Sequence, residues 1–201
     1  MKLVMRYIYK IVYWPVLIVL SLLHFPRFIG RSNLPEGPAV LCCNHSGLAD
    51  PIWVVLATRP KQIPWIMAKK EVMDKPVIGR FLSWFGAFGV DRDNPDLQAV
   101  RRALQHLRDG DRLLIFPEGT RVKKGMQVEA KSGAIVLASR ADAPIVPIYL
   151  THQRKPFQPL RCIIGEPYRP ALPERHPTQK ELADCTAELM RKIYAMGETG
   201  K

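Results

Sequence analysis

Acidic residues are scarce in this 201-residue chain: 18 Asp and Glu stand against 30 Lys and Arg, a formal net charge of +12. So large a surplus implies an anionic partner, which could be nucleic acid, an acidic membrane or a phosphorylated substrate. The chain also lacks any compact run of Lys and Arg interleaved with aromatics, and any helix-turn-helix or RNA-binding signature, which leaves no nucleic-acid partner to expect. Cysteines are few. Cys42, Cys43, Cys162 and Cys185 form no C-x-x-C pair and no cluster with zinc spacing, so they read as small buried hydrophobes in a reducing cytoplasm, with no metal expected. A G-x-S-x-G nucleophile elbow is missing, which disfavours a hydrolase. There is no internal repeat or low-complexity tract.

An uncharged run long enough to cross a bilayer is missing as well. Residues 11–26 carry no formal charge between Lys10 and Arg27, but a spanning helix needs about 20 such residues. Pro15 is expected to kink the segment. Basic residues flank it on both sides, so charge asymmetry gives no orientation. Tyr9, Tyr13 and Trp14 suit an interfacial position. No small-x-small cleavage site follows Leu23, as a signal peptide would require. The expectation is a membrane-associating segment, residues 1–30, that dips into or lies on one leaflet, followed by a single domain, 31–201. An ordinary buried helix is the alternative.

In the body, short apolar runs alternate with helical patterns. Runs at 39–43, 65–68, 88–90, 112–116 and 145–150 read as strands. Helices are expected from Asp50-Pro51, with Asp50 as N-cap, over 76–84, after Asn94-Pro95, over 132–140, and from a Thr178/Glu181 capping box through Met196, with Gly197 beyond the end. The pattern implies an α/β layered sandwich with a mixed, largely parallel sheet flanked by helices. Polar blocks directly follow four of the strands: Asn44-His45, Lys69-Lys70, Asp91-Arg92, and Glu118-Gly119-Thr120-Arg121. Ligands bind beyond the carboxyl ends of strands in such sheets, so the four blocks can line one electropositive pocket.

His45 and Asp50 are five residues apart, which on a regular helix puts them about 140° apart, on different faces. They meet only if His45 occupies the turn before the helix and Asp50 its first turn. The carboxylate then holds one ring nitrogen and leaves the other as a general base. Equally, Asp50 could simply cap a helix while His45 is a loop residue. Ser46 sits in no elbow, and Cys43 lies in an apolar run. The pair therefore fits activation of a substrate hydroxyl that attacks a thioester directly, with backbone amides near His45 as candidate oxyanion donors.

Four blocks in the chain match one family in order. They are Asn44-His45 through Asp50; Gly86 followed by Arg92; Phe116-Pro117-Glu118-Gly119-Thr120-Arg121; and the apolar strand Ile145-Val146-Pro147-Ile148. In these the chain resembles the 1-acyl-sn-glycerol-3-phosphate acyltransferases. The resemblance implies His45 as general base and Asp50 as its orienting partner. It implies Asn44, Lys69, Arg92, Glu118, Gly119, Thr120 and Arg121 around the acyl acceptor, with Arg92 and Lys69 near its phosphate, and Pro147 as structural. It further implies a lysophospholipid acceptor, acyl-CoA or acyl carrier protein as donor and co-substrate, and no bound cofactor. The expected location is the cytoplasmic face of the cell membrane, against an anionic surface. Rival expectations are another lyso-lipid acceptor, or a lipid-binding membrane protein without catalysis.

Overall fold

The computed structural model describes residues 2–58, 63–91, 94, 96–123, 126, 128–152, 157–173 and 176–198, with the backbone alone at 2–6, 8 and 10. Among these, seven strands form one sheet in the order β1-β7-β6-β2-β5-β3-β4. The strands are β1 (Arg27–Ile29), β2 (Ala39–Cys43), β3 (Trp65–Lys69), β4 (Ala87–Val90), β5 (Arg112–Ile115), β6 (Ile145–Leu150) and β7 (Arg161–Ile164). β2 pairs in parallel with both β5 and β6, and β3 in parallel with β4 and β5. β7 runs antiparallel to β6, and β1 runs parallel to β7. The sheet is therefore mixed and largely parallel, as the sequence pattern implies.

The central strands are apolar on both faces because both faces are covered. In β2 the side chains alternate: Val40 and Cys42 enter one core, Ala39, Leu41 and Cys43 the other. The first core is closed by α5 (Leu97–Arg108), α6 (Gly133–Arg140) and α7 (Gln179–Glu198). The second is closed by α1 (Lys2–His24) and α2 (Asp50–Thr58), with Trp53 of α2 buried at its centre. Two short helices, α3 (Lys70–Met73) and α4 (Pro76–Trp84), bridge β3 and β4. Cys42, Cys43 and Cys162 are buried free thiols, and Cys185 is half-buried. Burial alone pushes the Cys42 thiol up, well out of thiolate range.

Several local expectations shift. Asp50 and Pro51 open α2, but Asp50 is its first residue and not the N-cap. The first helical bond runs from the Trp53 amide to the Ala49 carbonyl, 3.1 Å, and the Asp50 side chain turns back towards the preceding loop. α5 is capped by Asp96, whose carboxylate accepts the Ala99 amide at 2.9 Å, two residues later than Asn94; Pro95 lies outside the described residues. The Thr178/Glu181 capping box forms, with Glu181 Oε2 accepting the Thr178 amide at 2.7 Å. α7 continues through Gly197 to Glu198, however. Position 197 packs on the Tyr149 ring so closely that a Cβ would stand 2.4 Å from it, so the glycine serves contact and not termination.

The amino-terminal segment is one helix through Pro15, and it docks on the body. Tyr9 donates to the Val55 carbonyl at 2.9 Å, while Tyr13 and Arg31 donate to the Leu56 carbonyl, each at 2.8 Å. These carbonyls belong to the last turn of α2, and Val55 also accepts the Thr58 hydroxyl at 2.8 Å, so α1 and Arg31 hold the end of the helix against which they pack. Burial pushes the Tyr9 phenol upward and keeps it a donor. A boundary at residue 30 therefore falls inside the folded body, with 27–29 forming the edge strand. The strands β1 and β7 are additional to those expected from the apolar runs of the sequence. Among the described residues no helix is long and apolar enough to cross a membrane.

The α3–α4 corner depends on Gly79, where a Cβ would stand 1.8 Å from the Met73 carbonyl oxygen. Gly79→Ala gains about 1 kcal/mol of helix propensity but forces backbone from backbone, an overpacking cost of about 1–3 kcal/mol. The expected outcome in thermal unfolding is a lower Tm, by roughly 2–4 °C per kcal/mol net. An unchanged or higher Tm would mean that α3 yields freely.

Candidate active site

The site lies at the carboxyl edge of the parallel strands, where β2, β5 and β6 end side by side. After Cys43 the chain leaves β2 into a turn held from every side. Asn44 is fully buried; its amide donates to the Leu150 carbonyl at 2.9 Å and accepts the Leu150 N–H at 2.7 Å. The Ser46 hydroxyl donates to the His152 carbonyl at 3.3 Å, and the Val122 amide donates to the His45 carbonyl at 2.7 Å. The turn is thus pinned to the ends of both neighbouring strands.

Within this turn His45 and Asp50 meet. His45 Nδ1 lies 2.9 Å from Asp50 Oδ2. The same oxygen accepts the Ser46 N–H at 2.6 Å and the Gly47 N–H at 2.9 Å. A carboxylate only accepts, so Nδ1 carries the hydrogen and Nε2 is the basic nitrogen. The carboxylate is wholly buried, the imidazole 14% exposed. The ring stacks on Phe116 at 4.3 Å, which fixes its remaining rotation.

Next door, Phe116 and Pro117 follow β5 and lead into the turn at Glu118 and Gly119. Gly119 has φ of 66°, a left-handed conformation that glycine adopts without strain. The Lys131 stem lies 3.6 Å from where its Cβ would be, and the Lys131 amide donates to the Pro117 carbonyl at 2.8 Å. Thr120 and Arg121 are exposed. Glu118 is not: it is 4% exposed, and its carboxylate accepts the His45 amide at 2.8 Å and the Tyr194 hydroxyl.

Some site assignments change in consequence. Asn44 spends its amide on the backbone and is shielded from any substrate, so it holds the turn. Glu118 likewise faces inward. The amides of His45, Ser46 and Gly47, expected as oxyanion donors, are already taken by Glu118 and Asp50. Lys69 stands at the carboxyl end of β3, two strands from β2 and therefore about 10 Å away. Its ammonium pairs with Glu71 at 2.9 Å and holds that exposed carboxyl below the usual range. Arg92 lies outside the described residues.

Phe116, Lys131, His152 and Tyr194 went unassigned in the sequence. Phe116 sits within a quoted block, but nothing in spacing announces a stack on His45. A cavity of about 290 Å³ lies beside Phe116 and Gly119, walled by Met67, Val90, Val100, Ile115 and Leu137. Among the described residues, His106, Asp109 and Asp111 bring ligand atoms within 4.8 Å of one another. They precede β5, at the opposite edge of the sheet from His45, and Asp111 there accepts the Trp65 indole N–H at 2.9 Å.

Comparison with known proteins places this geometry. A family model described as "Acyltransferase" matches residues 26–151, from β1 through the end of β6. A 1-acyl-sn-glycerol-3-phosphate acyltransferase of Bacillus subtilis (strain 168) is 34% identical over 182 residues, 88% of this chain and 90% of that one. A protein of the same name from Helicobacter pylori is 34% identical over 150 residues, 69% of this chain and 62% of that one. The crystal structure of a 1-acyl-sn-glycerophosphate acyltransferase from Thermotoga maritima shares the fold, with a TM-score of 0.62 over 86% of this chain and 72% of that one, at 23% identity. The match spans every strand end that builds the His45 turn, and the chain belongs to the Acyltransferase family.

Proposed function

We propose that this acyltransferase moves a fatty acyl group from an acyl thioester to the sn-2 hydroxyl of 1-acyl-sn-glycerol-3-phosphate, giving phosphatidic acid. The observation that carries the reading is the His45–Asp50 pair, 2.9 Å apart, with Nε2 as its base. His45 Nε2 takes the proton of the acceptor hydroxyl as the oxygen attacks the thioester carbonyl carbon. The tetrahedral intermediate collapses with C–S cleavage, and the imidazolium returns its proton to the departing thiolate. Asp50 stabilises the transient imidazolium and fixes the tautomer. No enzyme nucleophile enters, in keeping with a Ser46 hydroxyl turned to the His152 carbonyl and a buried Cys43. The donor is acyl-CoA or acyl carrier protein, and the chemistry asks for no cofactor or metal.

For the acceptor's phosphate, the exposed Arg121, with Thr120 and Gly119, offers donors beside His45, while Lys69 stands two strands away at the end of β3. The resemblance adds Arg92, which lies outside the described residues, to the same phosphate site. A phosphomonoester favours several charge-assisted bonds, and an arginine fork suits it. The largely apolar cavity beside Phe116, with Asp91, Asp96 and Lys131 at its wall, offers an acyl tail a place near the His45 ring.

The reading places the protein on the cytoplasmic face of an anionic cell membrane, where acyl thioesters are made. Support comes from α1. Its inner face docks through Tyr9 and Tyr13, while Tyr7, Ile11, Trp14, Ile18 and Leu22 stand exposed at helical spacing along its outer face. Such a helix lies in the interface with its apolar stripe inward, and the net charge of +12 adds attraction to acidic lipid.

Three outcomes test this. His45→Ala lowers acyl transfer to lysophosphatidic acid by roughly 10²–10⁴-fold, and Asp50→Asn loses much of the rate while the protein still binds membranes; near-normal turnover of His45→Ala would end the mechanism. Arg121→Ala raises the acceptor KM by about 10- to 100-fold, as expected for a lost charge-assisted bond of about 1.5–3 kcal/mol, and leaves the donor KM within about twofold; equal effects on both substrates would place Arg121 elsewhere. Ile11→Lys/Ile18→Lys/Leu22→Lys leaves the docked face intact yet releases protein from vesicles of anionic phospholipid in flotation assays. If high salt alone releases the unaltered chain, charge and not apolar insertion is the anchor.

A further inference from the structure

The structure assigns a positioning role to Tyr194: its hydroxyl orders the Glu118 carboxylate, and Glu118 in turn orders the His45 turn. Tyr194 lies on α7, more than forty residues beyond the end of the family-model match at residue 151. The geometry is a chain of three contacts. The Tyr194 hydroxyl donates to Glu118 Oε1. Glu118 Oε2 accepts the His45 backbone N–H at 2.8 Å. His45 Nδ1 then meets Asp50 at 2.9 Å. Among the described residues each oxygen of the buried Glu118 carboxylate therefore has one hydrogen-bond partner, the first on α7 and the second on the catalytic turn.

A second contact braces the tyrosine itself. Its ring stacks on His152 at 5.8 Å, 9° from parallel, and the His152 carbonyl accepts the Ser46 hydroxyl. The carboxyl-terminal helix thus reaches the catalytic turn by two routes, through Glu118 to the His45 amide and through His152 to Ser46. Glu118, His152, Met190 and Tyr194 all border a cleft of about 740 Å³ between the loop after β5 and α7. A buried carboxylate with a donor removed from one oxygen can rotate towards water in that cleft, and the rotation would drag its other oxygen off the His45 amide. Burial and the bond to Glu118 push the Tyr194 phenol upward, so it remains a donor at neutral pH.

The kinetic part of the test rests on the acyl-transfer reading; the exchange part does not. Full-length Tyr194→Phe keeps the ring and its stack and removes only the hydroxyl. With lysophosphatidic acid and the thioester donor the wild type uses, kcat is expected to fall about 10- to 100-fold, the scale on which small misplacements of a catalytic group act. Both KM values stay within about twofold. Hydrogen–deuterium exchange quickens in the peptide covering residues 44–50, with Tm held within a few degrees. Tyr168→Phe, the same deletion on a phenol remote from the turn, leaves kcat unchanged. Wild-type kcat in Tyr194→Phe, unaltered exchange at 44–50, or a loss expressed in KM overturns the assignment. Should Tyr194→Phe fold poorly, His152→Ala decides: it removes only the stacking ring and is expected to show the same kcat and exchange signature, weaker, and its absence is equally fatal. A wild type inactive on lysophosphatidic acid would instead defeat the acyl-transfer reading and leave the exchange result to judge Tyr194.

Discussion

One carboxylate oxygen organises the active end of this protein. Asp50 Oδ2 gathers three N–H groups, from the His45 ring and from the Ser46 and Gly47 amides. Burying a carboxylate completely costs several kcal/mol in lost hydration. Hydrogen bonds to a charged group return about 1.5–3 kcal/mol each, and the position at the first residue of α2 adds the favourable end of a helix dipole. Three donors on one oxygen are therefore enough to make the buried charge tolerable, and each donor removed leaves it less so. The turn, the tautomer of His45 and the start of α2 are consequences of the same requirement.

That requirement explains why so few atoms of the turn are left for substrate. The backbone amides of 45, 46 and 47 are committed to holding acidic side chains in place. Asn44 is committed to Leu150 in both directions. What faces outward is the basic edge of the imidazole, with Phe116 stacked on the ring and Gly119, Thr120 and Arg121 alongside. The polarity of the segment is mostly internal scaffolding around the basic nitrogen of His45.

The second organising feature is that one helix has two unlike faces. α1 donates two phenols to last-turn carbonyls of α2 and packs the half-buried Val16, Leu17 and Leu20 on the second core, while Ile11, Ile18 and Leu22 remain outside. Since α2 begins at Asp50, the helix that bears the apolar outer stripe is fixed to the element that bears the carboxylate gripping His45. Any surface that takes up the stripe is thereby oriented relative to the site.

The sequence by itself determined the strand and helix alternation, because apolar runs with strand length between helical periods admit little else, and it marked His45, Asp50 and the Glu118–Arg121 turn by residue type and order. It also set the apolar, aromatic character of α1. Tertiary structure decided the rest. Whether Asp50 caps a helix or grips His45 turns on a reversal of one side chain that spacing leaves open, and the fold closes it through Ser46 and Gly47. Asn44 and Glu118 read as substrate groups in the chain, since polar residues after strands usually face ligand; burial against Leu150 and α7 turned both inward. Tyr194 could not be found from sequence at all, because it meets Glu118 across 76 residues of chain, and only packing of the last helix against the sheet edge brings a donor to a carboxylate that far away.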